Sequence, residues 1–164
     1  MQKLMQEMVE TYGDRIYRLA MRYTRDSYMA QDLTQETFLR AYKHLNRFDR
    51  SKPAGPWLFK IANNLCRNWL RDNRELPVEM VDDLQAPEEE SPEKYVLERE
   101  GEDELIKALY SLPQMYREVL LLKHVGELSY AEIGETLELE PSLVKNRLYR
   151  GRMMLKEALE KGRG

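Results

Sequence analysis

One cysteine, Cys66, stands in 164 residues, so no disulfide can close within the chain. The two histidines, His44 and His124, are isolated from each other and from Cys66, so no metal-ligand cluster can be assembled from spacing and no metal is expected. No apolar run approaches the roughly 18 residues that a membrane span needs, and the amino terminus lacks the apolar core of a signal peptide. The expectation is a chain that is neither exported nor inserted and that works in a reducing cytoplasm. Glycine and proline are sparse, at 8 and 7 residues, which excludes collagen-like and low-complexity chains. No nucleophile with a neighbouring base and no glycine-rich phosphate loop can be picked out, so neither an enzyme nor a cofactor is expected.

What is present suits soluble amphipathic helices: 34% of residues are charged and 42% hydrophobic. The length leaves room for one ordinary domain or two very small ones. A net charge of −3 reads poorly for a nucleic-acid binder until it is divided by position. Residues 1–74 carry 14 Lys and Arg against 8 Asp and Glu, residues 75–104 carry 2 against 13, and residues 105–164 carry 10 against 8. A basic front half and a mildly basic tail therefore flank an acidic connector.

Apolar residues recur at three- and four-residue steps from the start: Met5, Met8, Val9, Tyr12, Ile16, Leu19, Ala20 and Tyr23 predict a first helix with a buried stripe. After a break at Asp26 and Ser27, the series Ala30, Leu33, Thr34, Thr37, Phe38, Ala41, Tyr42 and Leu45 predicts a second. Asn46 to Pro56 reads as a structured loop, and Pro56 suits the first turn of a third helix. In that helix Leu58, Ile61, Ala62, Leu65 and Trp69 face the core, with Cys66 on the apolar side. Residues 75–91, with Pro77, Pro87 and the run Glu88 to Glu90, read as an extended linker that ends the first domain. Ser91, Pro92 and Glu93 form a helix start, with Val96, Leu105, Ile106, Leu109 and Leu112 as a partial stripe. Pro113 opens a further helix, carrying Tyr116, Val119, Leu120 and Leu122, that stops at Gly126. No strand alternation and no internal repeat is visible. The fold expected is all-α: two small helical domains, 1–74 and 92–164, joined by an acidic flexible linker at 75–91.

The tail carries the sharpest local signal. Ser129 and Glu132 form an S-x-x-E capping box, in which the hydroxyl accepts from the N3 amide and the carboxylate from the cap amide. Leu128 and Ile133 add a hydrophobic staple, Glu138 to Glu140 form a turn, and Pro141 begins the next helix. Two short helices around such a turn form a helix-turn-helix, whose second helix lies in the major groove. At 100° per residue Val144, Leu148, Gly151 and Leu155 share one face, with Ser142, Lys145, Asn146, Tyr149 and Arg150 opposite. Lys145 and Asn146 fit base edges, Tyr149 and Arg150 bases or nearby phosphates, and Arg147 and Arg152 phosphates. Charge alone also fits a merely solvated helix face, and many repressors share this pattern.

The segment Asp32-Leu-Thr-Gln-Glu-Thr-Phe-Leu-Arg-Ala-Tyr42, then Phe48, then Pro56-Trp-Leu-Phe-Lys-Ile-Ala-Asn-Asn64, closely resembles conserved region 2 of bacterial sigma factors. Leu128-Ser-Tyr-Ala-Glu-Ile-Gly134 with Val144-Lys-Asn-Arg-Leu-Tyr-Arg-Gly-Arg152 resembles region 4 of the same family. The two in this order, with only an acidic linker between, resemble the minimal extracytoplasmic-function sigma factors.

The resemblance implies a partnership with core RNA polymerase and promoter DNA. On the second helix Asp32, Gln35, Glu36, Leu39, Arg40 and Lys43 face outward, and an exposed leucine among charges suggests docking. By resemblance this helix binds the clamp helices of the polymerase largest subunit through Asp32, Gln35, Glu36 and Arg40, with Leu39 beside them. The third helix presents Lys60, Asn63, Asn64, Arg67, Asn68 and Arg71, amides that suit base edges mixed with cations that suit phosphates. By resemblance this helix and the preceding loop read the −10 element and hold an unstacked base, with Asn64 at a base-reading position. Phe48 and Trp57 either line that pocket or pack the domain. The last helix would read −35. The resemblance also implies an anti-sigma partner. A stand-alone helix-turn-helix regulator is the other reading; it would bind its operator without polymerase.

Overall fold

The computed structural model describes residues 2–73 and 104–163, and every regular element among them is helical. The front half comprises α1 (Gln2–Thr24), α2 (Ser27–Lys43), a single 3-10 turn (Leu45–Arg47) and α3 (Ala54–Asn73). The back half comprises α4 (residues 104–111), α5 (Gln114–His124), α6 (Tyr130–Leu137) and α7 (Pro141–Arg163). The linker expected at 75–91, the helix start at Ser91 to Glu93 and Val96 lie outside the described residues.

Local chemistry accounts for the helix ends. Arg25 takes a left-handed backbone (φ 55°), and the Asp26 carboxylate then accepts from the amides of Tyr28 and Met29, capping α2. The α1 stripe is as expected at Met8, Ile16, Leu19, Ala20 and Tyr23, whereas Val9 and, in α2, Tyr42 are exposed. Tyr42 lies at the margin of its stripe, where packing rather than periodicity decides the outcome. Helix α3 begins at Ala54, two residues before Pro56. Its proline sits within the first turn, where backbone N–H groups have no intrahelical partner to lose.

In the back half the capping box forms in both directions. Ser129 Oγ accepts from the Glu132 amide at 3.1 Å, and Glu132 Oε1 accepts from the Ser129 amide at 2.9 Å. Leu128 and Ile133 are fully buried, as the staple requires. The chain leaves α6 through Glu138 in the left-handed region (φ 60°). There the Leu139 amide bonds to Gly134 O, and a Cβ at Gly134 would stand 2.7 Å from Leu139 O, so glycine is what lets this turn close.

The two halves are not held apart. Leu58, Phe59, Cys66 and Tyr23 of the front half belong to the same contiguous apolar cluster as Val119, Leu122, Leu128, Ile133 and Val144 of the back half. Helix α3 lies between them. Its buried residues Leu65, Leu58, Ala62, Cys66, Phe59 and Asn63 sweep roughly 160° at 100° per residue, wider than the stripe of about 100° that one neighbour requires. Phe59, outside the sequence-derived stripe, is completely buried. It meets Tyr12 edge-on at 6.4 Å between ring centroids, and it abuts Gly126, where an added Cβ would stand 3.0 Å from its ring.

Ser129→Ala should lower stability by about 1 kcal/mol, typical for loss of a side-chain N-cap. Urea unfolding followed by circular dichroism would show it as a reduced midpoint at unchanged slope.

Candidate nucleic-acid interface

Helix α7 inherits its orientation from the turn before it. Val144, Leu148 and Gly151 are buried, and a Cβ at Gly151 would stand 3.3 Å from Leu120, so α7 lies close against α5. Leu155 is half-buried. The opposite face is free: Ser142, Lys145, Asn146 and Arg150 are exposed, and Tyr149 is 64% exposed. About two and a half turns thus hold cations, an amide and an aromatic hydroxyl in one solvent-facing band, the chemistry of base-edge and phosphate contact. Arg147 is half-buried. Arg152 is exposed and lies 3.4 Å from His124 Nε2. Burial first, and then the Arg152 and Lys123 charges, hold the His124 imidazolium below its ordinary pKa of 6.5.

The α2 face stands where the sequence put it. Asp32, Gln35, Arg40 and Lys43 are exposed, Leu39 is 55% exposed, and Glu36 Oε1 pairs with Arg40 Nε at 2.9 Å. Inward, Ala30, Thr37 and Ala41 are buried, and the hydroxyls of Thr34 and Thr37 bond back to the carbonyls of Ala30 and Leu33. Most of this face is solvent-exposed among the described residues.

The polar face of α3 is split. Asn64, Asn68 and Arg71 are exposed, with Arg71 beside Asp72 at 3.4 Å. Asn63, expected among them, is instead 1% exposed. It accepts from the Tyr23 hydroxyl at 3.3 Å and donates to Glu118 Oε1 at 3.0 Å. On the wheel it sits between Phe59 and Lys60, at the edge of α3 that meets the back half. Two residues next to it round the helix are engaged from there as well: Lys60 Nζ with Glu138 at 2.6 Å, and Arg67 with Glu118 at 3.6 Å. The Lys60 hydrogen bond and charge hold the Glu138 carboxyl below its usual value. Glu118, Glu138 and the full burial of Phe59 gave no signal along the chain, because their meaning depends on which helix comes to lie opposite α3.

Phe48 and Trp57 stack on each other, with centroids 4.8 Å apart and planes at 25°, and both pack against the apolar cluster while half-buried. Cys66 is buried and its thiol is pushed up to about 12 by that burial, which makes it an inert packing group. Beside α3 a cavity of about 890 Å³ is lined by Arg25, Arg40, Arg67, Arg71 and Arg117 with Asn64, Asn68 and Trp69, and by no carboxylate among the described residues. Cations, amides and an aromatic ring together suit a phosphate backbone with unstacked bases. No group of potential metal ligands occurs among the described residues, and no helix among them is long and apolar enough to cross a membrane.

Residues 8–75 match the family described as Sigma-70 region 2, and residues 102–155 the family described as Sigma-70, region 4. The ECF RNA polymerase sigma factor SigW of Bacillus subtilis is 33% identical over 165 residues, covering 93% of this chain and 87% of the relative. SigM of the same organism, also an ECF RNA polymerase sigma factor, is 32% identical over 159 residues and covers 95% of each. Among solved structures, CnrH in complex with the cytosolic domain of CnrY matches with a TM-score of 0.73 at 22% identity, over 98% of this chain and 90% of that one. The sigma factor RpoE of Bartonella quintana, in complex with the anti-sigma factor NepR, matches with a TM-score of 0.68 at 22% identity over 98% of both chains. At that identity the two structures establish a shared fold.

Because the folded-state pKa of His124 is depressed, its contribution to stability is present above pH 6.5 and is lost as pH falls below it. The thermal midpoint should be lower at pH 5.5 than at pH 7.5, and His124→Gln should reduce that difference.

Proposed function

The chain belongs to the extracytoplasmic-function group of sigma-70 family RNA polymerase sigma factors, and from that premise we propose how its surfaces divide the work. Region 2 occupies residues 1–74 and region 4 residues 92–164, with residues 75–91 as the acidic connector. The exposed α2 face, Asp32, Gln35, Glu36, Leu39 and Arg40, docks on the clamp helices of the polymerase largest subunit. Lys60, Asn63, Asn64, Arg67, Asn68 and Arg71, with Phe48 in the loop before α3, form the −10 reader. Ser142, Lys145, Asn146, Arg147, Tyr149, Arg150 and Arg152 form the −35 reader.

The observation that carries this reading is the pair of cation-and-amide faces, one on α3 and one on α7, standing on a chain whose α2 face is also open. Each reader alone is short. Joined through the polymerase, the second contact becomes intramolecular, and its local concentration replaces the affinity that either lacks. Opening −10 takes a base out of the stack at a cost of a few kcal/mol, which stacking and amide hydrogen bonds in a preformed site offset. The cavity beside α3 supplies both kinds of group.

The factor binds and positions while the polymerase performs the covalent chemistry, so it is not itself an enzyme and needs no cofactor. Its place is the cytoplasm. An anti-sigma factor is a further partner, by analogy with the two solved relatives, each of which is held in such a complex or with the cytosolic domain of another chain.

With core polymerase the protein should give promoter-specific transcripts in run-off assays. Arg150→Ala should weaken −35-dependent promoters by roughly tenfold, the order expected for one lost guanidinium contact to a base or phosphate, while binding to core is unchanged. Leu39→Asp should do the reverse, lowering core affinity in competition assays. Core binding no tighter than that of an unrelated helical protein would refute the assignment.

A further inference from the structure

The carboxyl end of α5 touches the −35 reader at one point. His124, the last residue of α5, stands one turn beyond Leu120, against which Gly151 of α7 packs, and its Nε2 lies 3.4 Å from Arg152 Nη2. Both residues are exposed. Arg152 follows Lys145 by seven residues, roughly 20° apart at 100° per residue, so it stands at the margin of the reading face on the side of α5. The imidazole thus extends that face sideways from a second helix.

What surrounds His124 is cationic. The charges that act on it are Arg152 from α7 and Lys123 from its own helix, with no carboxylate of the described residues among them. Helix α6 contributes Tyr130, whose ring lies 5.2 Å from Lys123 Nζ. Glu127, in the loop that follows α5, is paired with Arg18 of α1 at 3.2 Å. Two cations and a protonatable ring, gathered from two helices beside a base-reading face, form a place for an anion. Duplex DNA brings one there, because a recognition helix in the major groove is flanked by backbone phosphates. The neutral ring accepts from Arg152, whereas a protonated ring carries two N–H donors and needs another acceptor. A phosphate oxygen placed between His124 and Arg152 serves both donors.

The direction of the coupling follows from the surroundings. In the free protein, burial first and then the Arg152 and Lys123 charges hold the imidazolium below its ordinary value, so the ring is uncharged near neutral pH. An adjacent phosphate favours the charged ring, as does the carboxyl end of α5. A proton bound more tightly in the complex than in the free protein makes affinity rise as pH falls.

We propose that His124 and Arg152 jointly hold one backbone phosphate of the −35 duplex, and that the ring takes up a proton from solvent as it does so, which tightens −35 recognition on acidification. This coupling rests on the reading of α7 as the −35 reader and adds to it a residue from another helix.

Proton NMR of the full chain tests it directly. The chain has two histidines, so His44→Gln leaves the Cε1–H resonance of His124 alone among histidine signals. A saturating duplex carrying the −35 element of a promoter that the factor transcribes should raise the titration midpoint of that resonance by at least about half a pH unit. Replacing the duplex phosphates one at a time by uncharged methylphosphonate should abolish the rise at one position. In the holoenzyme, promoter affinity should increase about threefold more between pH 7.5 and pH 6.0 than it does with His124→Gln, within the roughly tenfold per pH unit that one proton allows. His124→Arg, with a fixed charge, should bind more tightly than His124→Gln at pH 7.5 and lack the extra pH dependence. An unchanged midpoint on adding duplex, or the same pH dependence in unmodified and His124→Gln holoenzymes, would each overturn the proposal. Failure of the −35 reading would show separately, as an Arg150→Ala holoenzyme that binds promoters like the unmodified one at every pH.

Discussion

Burial of α3 on two sides is the constraint from which most of this structure follows. One side, through Leu58, Ala62 and Leu65, completes the front three-helix unit. The adjoining side, through Phe59, Asn63 and Cys66, meets the back half. A helix with only one neighbour would leave Phe59 in water and Asn63 free to bind a base. With two neighbours it places an aromatic ring against Gly126 and commits an amide to Glu118. Apolar burial supplies the attraction, at about 25 cal/mol per Å². The buried amide and carboxylate add geometric definition, since they tolerate only the arrangement that pairs them.

That arrangement separates two kinds of charge on the surface. Lys60 and Arg67, at the rim of the buried arc, are tied to carboxylates of the back half, whereas Asn64, Asn68 and Arg71, further round the helix, are exposed beside an arginine-lined cavity, with Arg71 next to its own neighbour Asp72. Exposed ion pairs contribute little individually, typically 0–1 kcal/mol, and weaken with salt. Such contacts set which state is favoured without making it irreversible.

Much of this was legible along the chain. The capping box at Ser129 and Glu132, the turn at Glu138 and the sides of α7 depend on residues within a few positions of one another, and all are found as read. The α2 face was legible for the same reason: Leu39 among charges can be seen from a helical wheel alone. What periodicity misjudged lies at a stripe margin, as with Tyr42, or at a second packing surface, as with Phe59 and Asn63. A hydrophobic stripe records that a face is covered but not how many neighbours cover it, and a polar residue at its edge reads as exposed by default.

The order of motifs, the helical class, the charge division and the family were thus determined by sequence itself, because each rests on residue identity and short-range spacing. Only the tertiary structure decided that Glu118, Glu127 and Glu138 oppose Asn63, Arg18, Lys60 and Arg67. Those partners lie 51 to 109 residues apart, where no local pattern links them. Their meeting is fixed by which apolar surfaces close on α3, and that is a property of the whole packed chain.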